Sequence, residues 1–174
     1  MTPDRQPALD GALVHIRPST PDDWDALYAV ARDPLVWEVH PAHDRWQEDV
    51  FRAYFDGGIA SGGALTIIDR ANGAVIGSSR FDNWDAEAGE IEIGWTYLAR
   101  SHWGGTYNRE IKRLMVGHIL RYVPTVVLTV GAYNVRSRRA VEKLGAVLRP
   151  GLHDRLMAGA MTPHVIYALR SVPA

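Results

Sequence analysis

The chain has 174 residues, a net charge of −1 and no cysteine. That length suits one domain with its own core. The near-zero charge gives no general attraction to nucleic acid or anionic lipid, and the missing cysteine excludes disulfides, a thiolate metal site and a cysteine nucleophile.

Residues 1–12 are polar, contain Pro3, Pro7 and Asp10, and lack the apolar segment of a secretory signal. They read as a flexible tail on a single domain covering 1–174. No apolar run approaches the ~18 residues of a membrane span, so a cytoplasmic location is expected. Leu13 to Arg17 reads as a first strand. Thr20-Pro21-Asp22-Asp23 starts a helix, with Thr20 as N-cap and the aspartates at the positive end of the dipole; Asp33-Pro34 stops it. Arg45 to Phe55 is a second helix, ended by Gly57-Gly58. Ala64–Asp69 and Ala74–Phe81 flank Ala71-Asn72-Gly73, a hairpin signal. Glu90–Leu98 is a strand whose alternation sets Ile91, Ile93, Trp95 and Tyr97 on one face and Glu90, Glu92, Gly94 and Thr96 on the other. Thr106–Tyr122 is the clearest helix, with Ile111, Leu114, Met115, His118, Ile119 and Tyr122 at helical spacing. Thr125–Val130 suits a strand buried on both faces. Asn134–Leu144 is a short helix with Asn134 as N-cap and Gly145 at its end. Val147–Leu156 and His164–Leu169 are two final strands. The middle of the chain is thus one βαβ unit between hairpins, an α/β fold with a mixed sheet.

Two features carry candidate chemistry. Gly104-Gly105 permits unusual φ just before the long helix, whose first N–H groups lack internal partners and favour an anion such as a pyrophosphate. The same pair also serves a plain strand-to-helix turn. Glu90 and Glu92 put carboxylates on a face that should then border a solvated cleft, because an unpaired buried carboxylate costs several kcal/mol. Glu92 is positioned either to take a proton or to pair with Arg80 or another arginine on a neighbouring strand. His40-Pro41-Ala42-His43-Asp44 offers two histidines without an evident third ligand, so no metal is expected. Arg136, Arg138, Arg139 and Lys143 form a basic segment that suits a solvated helix face or contact with phosphates. It lacks aromatic neighbours for base stacking, so nucleic acid is not an expected partner.

The stretches Glu92-Ile93-Gly94-Trp95-Thr96-Tyr97-Leu98 and Trp103-Gly104-Gly105-Thr106-Tyr107-Asn108-Arg109-Glu110-Ile111-Lys112, followed by Asn134-Val135-Arg136-Ser137-Arg138-Arg139-Ala140-Val141-Glu142-Lys143-Leu144-Gly145-Ala146, resemble the GNAT N-acetyltransferase superfamily. They look closest to the branch of the ribosomal-protein N-terminal acetyltransferases. Thr106 departs from the pattern, standing where a second glycine is common. The resemblance implies a mixed, twisted sheet of about seven strands flanked by about four helices, with Glu90–Leu98 splaying from Thr125–Val130 at their C-terminal ends to admit a thioester. It implies acetyl-CoA as cosubstrate, held by Thr96, Tyr97, Leu98, Trp103, Gly104, Gly105, Thr106, Tyr107, Asn108, Asn134, Ser137 and Arg138. Glu92 and Ser137 become the catalytic candidates, the latter or Tyr133 helping the thiolate leave. Leu35 to Trp46 would wall the acceptor site, with Trp37, His40, Trp46 and Glu92 meeting an amine: a protein N-terminus, an amino acid or a small amine. Direct attack in a ternary complex follows from the lack of a cysteine carrier. The alternatives are a CoA-binding regulatory module without turnover and an RNA- or ribosome-associated protein recruited through Arg136–Lys143. A monomer and a homodimer are both compatible with the sequence.

Overall fold

The computed structural model describes residues 2–174. Nine strands and four α-helices follow in chain order: β1 (Leu9–Asp10), β2 (Val14–Pro18), α1 (Trp24–Ala31), α2 (Glu48–Ser61), β3 (Ala64–Asp69), β4 (Val75–Asp85), β5 (Glu90–Leu98), α3 (Thr106–Ile119), β6 (Thr125–Gly131), α4 (Val135–Glu142), β7 (Val147–Leu148), β8 (His153–Met157) and β9 (Ala160–Leu169). They build one sheet in the order β1-β2-β3-β4-β5-β6-β9-β7, with β8 also paired to β9. All pairings are antiparallel except β5–β6, the crossover that α3 spans.

Two strands exceed the expected seven. One lies in the presumed tail, of which Met1 is outside the described residues. Leu9–Asp10 pairs with β2, Pro3 and Pro7 are buried, and the His118 ring is bonded to the Asp4 carbonyl at 2.8 Å. Glu110 of α3 explains the docking. Its carboxylate accepts the amides of Ala12, Leu13 and Val14 at 2.9, 2.7 and 3.0 Å, charge-assisted bonds that tie the incoming chain to the helix. The other extra strand arises because Val147–Leu156 divides into β7 and β8, which pair with separate stretches of β9.

The core has two parts. Val14, Ile16, Leu65, Ile67, Ile91 and Ile93 pack with Ile111, Met115 and Ile119 of α3. Leu27, Ala31, Phe51, Phe55, Trp37 and Tyr97 form a second cluster under α1 and α2. The alternation of β3 separates them: Leu65 and Ile67 face α3, while the Thr66 hydroxyl bonds Asp23, just before α1.

Two expected boundaries move for tertiary reasons. The second helix begins at Glu48 and runs through Gly57-Gly58 to Ser61. A Cβ at Gly58 would sit 2.9 Å from an Arg80 guanidinium nitrogen, so this glycine makes room for a neighbour and does not end the helix. Gly62, at φ 64°, ends it. In β5 the expected alternation fails at Trp95, a non-glycine residue at φ 52° where the register with β4 shifts. Ile91 and Ile93 face α3, but Tyr97 enters the α1–α2 cluster. Thr96 faces α3 through a bond from Lys112.

Candidate active site

The cleft lies where β5 and β6 separate. They pair only at Glu90–Thr125, Ile91–Val126 and Glu92–Val127. Beyond that, β5 follows β4 to Leu98 and β6 follows β9 to Gly131. The expected splay is present, and the Trp95 bulge bends β5 at its mouth. Tyr54 holds the bulge, its hydroxyl donating to the Trp95 carbonyl at 2.5 Å.

One side of the cleft is the approach to α3. Gly104 and Gly105 have φ of 105° and 114°, and a Cβ at either would meet nothing within 4 Å. Glycine is needed there for its dihedrals, not for space. The first helical bond runs from the Arg109 amide to the Gly105 carbonyl, and no side chain caps the helix, so the amides ahead of it face the cleft without a helical acceptor. Asp69 anchors this loop: it is bonded to the His102 ring at 3.1 Å and accepts from the Tyr107 hydroxyl at 3.3 Å. The Trp103 indole donates to the Leu98 carbonyl at 3.0 Å. Under the bulge, Lys112 donates to the Thr96 hydroxyl at 2.6 Å, and Thr96 meets Ser79 at 2.7 Å. Burial pushes Lys112 down to about 7.

Across the splay, Asn134 caps α4 by accepting the Ser137 amide at 3.1 Å. Both residues line the cleft. Arg136 also lines it, its guanidinium 3.9 Å from the centre of the Trp103 ring, so a cation–π contact links the two walls.

The third side carries Trp37, His40, Pro41 and Arg45. Trp37 is buried, with its indole bonded to the Ala31 carbonyl at 2.7 Å. The His40 Nδ1 accepts the Ala42 amide at 2.9 Å. Burial first, then the charge of Arg45, pushes His40 down to about 3, so it stays neutral and holds the loop.

Glu92 lines the cleft, but its carboxylate is occupied. Arg155 donates to both oxygens, at 3.2 and 3.0 Å, and Asn83 donates to one at 2.7 Å. The salt-bridge reading therefore holds, with Arg155 of β8 as partner; Arg80 pairs with Asp82 instead. His164 is beside this pair. Its Nδ1–H donates to the Thr162 carbonyl at 2.8 Å. Its Nε2 has no protein partner among the described residues, yet it is not sealed from solvent, in a residue that lines the cleft. Burial pushes its pKa below the ordinary imidazole value, which leaves Nε2 a free lone pair near neutral pH.

Five expected residues fall outside the lining. Arg138 turns away to the Tyr167 hydroxyl at 3.0 Å and the Ala132 carbonyl at 3.1 Å, because its place on α4 faces β9. Trp46 is 41% exposed and only its carbonyl is used, by the Tyr28 hydroxyl. Tyr107 turns to Asp69. Thr106 is the first residue of α3, so only its backbone is placed for an anion. Tyr133, the other candidate for assisting the thiolate, is 81% exposed and is not in the lining either. The cleft gains Arg45, Lys112, Arg136, Arg155 and His164. Lys112 and Arg136 stood in the quoted motifs, whereas Arg45, Arg155 and His164 carried no local signal.

The model of the Acetyltransferase (GNAT) domain family matches residues 14–147. The chain belongs to the GNAT acetyltransferase family. It is an acetyl-CoA-dependent N-acetyltransferase, which sets aside a CoA-binding module without turnover. Solved GNAT structures share the fold. A GCN5-related N-acetyltransferase from Brucella melitensis is 20% identical, with a TM-score of 0.84 over 97% of this chain and 80% of that one. Spermidine N-acetyltransferase from Vibrio cholerae, solved with CoA and spermine, is 12% identical, with a TM-score of 0.71 over 91% of this chain and 96% of that one. RimJ from Mycobacterium smegmatis, solved with CoA-disulfide, is 19% identical, with a TM-score of 0.68 over 93% and 84%. No curated protein matches the sequence. No helix of this GNAT domain among the described residues is long and apolar enough to cross a membrane.

Proposed function

We propose that this GNAT domain transfers the acetyl group of acetyl-CoA directly to a primary amine, both substrates being bound together at the β5–β6 splay. The observation that carries the reading is the splay itself, bordered at one end by the uncapped start of α3 and at the other by a free imidazole. The amides from Gly105 to Asn108 take the pyrophosphate, with the helix dipole behind them. The β5 edge from Thr96 to Leu98 takes the pantetheine amides as an added strand would. Asn134 and Ser137 flank the arm from α4.

The amine arrives as an ammonium and must lose a proton before it attacks. We assign that proton to His164 Nε2, directly or through a water. Glu92, with both oxygens engaged, supplies negative charge beside the imidazolium as it forms and fixes Arg155. The neutral amine forms its C–N bond to the thioester carbonyl, and a β5 backbone N–H beside the splay stabilises the oxyanion. The C–S bond then breaks. The thiolate, with an ordinary pKa of about 8.5, takes a hydrogen bond from Ser137, which lines the cleft, and the extra proton of the attacking nitrogen passes to the sulfur directly or through a water, giving the neutral amide and the CoA thiol. The chain has no cysteine to carry the acetyl group in between.

Thiol release from acetyl-CoA, followed across a panel of primary amines with mass analysis of the amine, tests this directly. Release that requires the amine and leaves an acetyl group on it is expected. Release at the same rate without amine would mean hydrolysis and would contradict the reading.

A further inference from the structure

Two cleft arginines have no carboxylate within 4 Å among the described residues. Arg136 is engaged by the Trp103 ring beside the α3 loop. Arg45 sits on the acceptor side, its guanidinium 4.6 Å from the centre of the Tyr54 ring and 5.6 Å from that of Trp37. None of its nitrogens makes a hydrogen bond among the described residues, and none is sealed from solvent. Tyr54 bonds the bulge carbonyl of Trp95, so one aromatic ring separates Arg45 from the point where β5 bends into the cleft.

The surroundings sharpen the demand. Arg80 lies 5.6 Å from the centre of the same Tyr54 ring, and its charge adds to that of Arg45. Among the described residues the only carboxylate lining the cleft, Glu92, is taken by Arg155. Burial lowers the Arg45 pKa and the charge of Arg80 lowers it further, while Asp44, beyond 4 Å, offsets only part of this. A partly desolvated guanidinium with free donors pairs best with a planar carboxylate, which meets two of them at once. A second ammonium in the same place would meet the like charges of Arg45 and Arg80, which Asp44 offsets only in part.

We infer that Arg45 is an anion subsite, and that the acceptor is an amine that also carries a carboxylate a few bonds away: an amino acid, or a short peptide with its own acid group. This rests on the acetyl-transfer reading for the position of the amine. The aromatic walls of Trp37 and Tyr54 orient the guanidinium fork toward the cleft. His40, neutral beside Arg45, adds no competing charge. The acid, held by Arg45, fixes the amine toward the splay. Polyamines are excluded by the same charge balance.

The test uses matched pairs, alanine and alaninamide, glutamate and glutamine, alanyl-alanine and its C-terminal amide, with spermidine as the polycation. Each is titrated calorimetrically into the CoA-saturated protein and assayed separately for acetyl-CoA turnover. At least one acid is expected to bind about tenfold or more tightly than its amide. That gap should vanish in Arg45→Gln and be partly kept in Arg45→Lys, with acetyl-CoA affinity unchanged in both, which shows that the cleft is intact. Equal response to every acid and its amide, including no response to either, overturns the inference, as does a gap that survives Arg45→Gln or preferred binding of spermidine. An acid preference in binding without turnover of any amine would instead count against acetyl transfer and leave the anion subsite standing.

Discussion

The α3 side of the cleft and the acceptor side are built from different materials. Toward α3 the cleft presents backbone: the open amides from Gly105 to Asn108, the β5 edge, and two glycines whose dihedrals no other residue adopts cheaply. On the other side it presents side chains: Trp37, Arg45, His164 and the Glu92–Arg155 pair. A backbone site recognises a group common to all CoA thioesters and tolerates sequence change. A side-chain site can be rebuilt residue by residue to suit one amine. On the proposed reading, the contrast lets the fold keep one cosubstrate while the acceptor stays open to change.

Five substitutions break or sharpen that contrast. The largest effect is expected at His164. Replacing it with Ala should lower kcat by about 100-fold or more, the usual weight of a positioned base, with acetyl-CoA affinity unchanged; stopped assays of kcat and KM check it. Glu92→Gln is the companion, expected to lower kcat by less than His164→Ala while lowering Tm, because Arg155 loses its counter-charge. If Glu92→Gln proves the more damaging to kcat, the proton goes to the carboxylate after all. On the backbone side, Gly105→Val forces a β-branched residue to φ 114°. A strain of about 1–3 kcal/mol translates to roughly 10- to 100-fold weaker CoA binding by calorimetry, with kcat at saturation much less affected.

Lys112 gives the pH-dependent member of the set. Its folded pKa is about 7 against an ordinary 10.5, so between those values the unfolded chain holds the proton that the folded chain has lost. Stability therefore rises with pH across that window, by at most about 1.4 kcal/mol per unit, and denaturant midpoints from pH 7 to 10 should show it. Lys112→Met removes the titration and flattens the slope. The smallest effect is expected at Arg136→Ala, which deletes the contact with Trp103. A loss of about 0.5–2 kcal/mol should raise the KM for acetyl-CoA several-fold and leave kcat alone.

The same division governs what could be read from the residues. The α3 side and the α4 cap were legible because glycine turns, caps and a long amphipathic helix are local features: Gly104-Gly105 and Asn134 stand where expected, and the long helix starts at Thr106 as expected but ends at Ile119, short of Tyr122. The β5–β6 splay, expected from the family resemblance, is present as well. The opposite side was legible only in part: Trp37, His40 and Glu92 line the cleft as expected, but Arg45, Arg155 and His164 were not foreseen. Arg155 reaches Glu92 across 63 positions of sequence, and His164 reaches the cleft only because β9 runs beside β6. The parity break at Trp95 was equally invisible. An apolar alternation continues through the sequence, and only the Tyr54 hydroxyl, brought by α2, shows why the carbonyl turns. Gly57-Gly58 read as a stop because the crowding by Arg80 comes from a distant strand.

The account rests on both substrates meeting in one cleft with no acetyl-enzyme between them. Initial rates measured over a grid of acetyl-CoA and amine concentrations test that most directly. Double-reciprocal lines that intersect are expected, as for a ternary complex; parallel lines would place the acetyl group on the protein and contradict it.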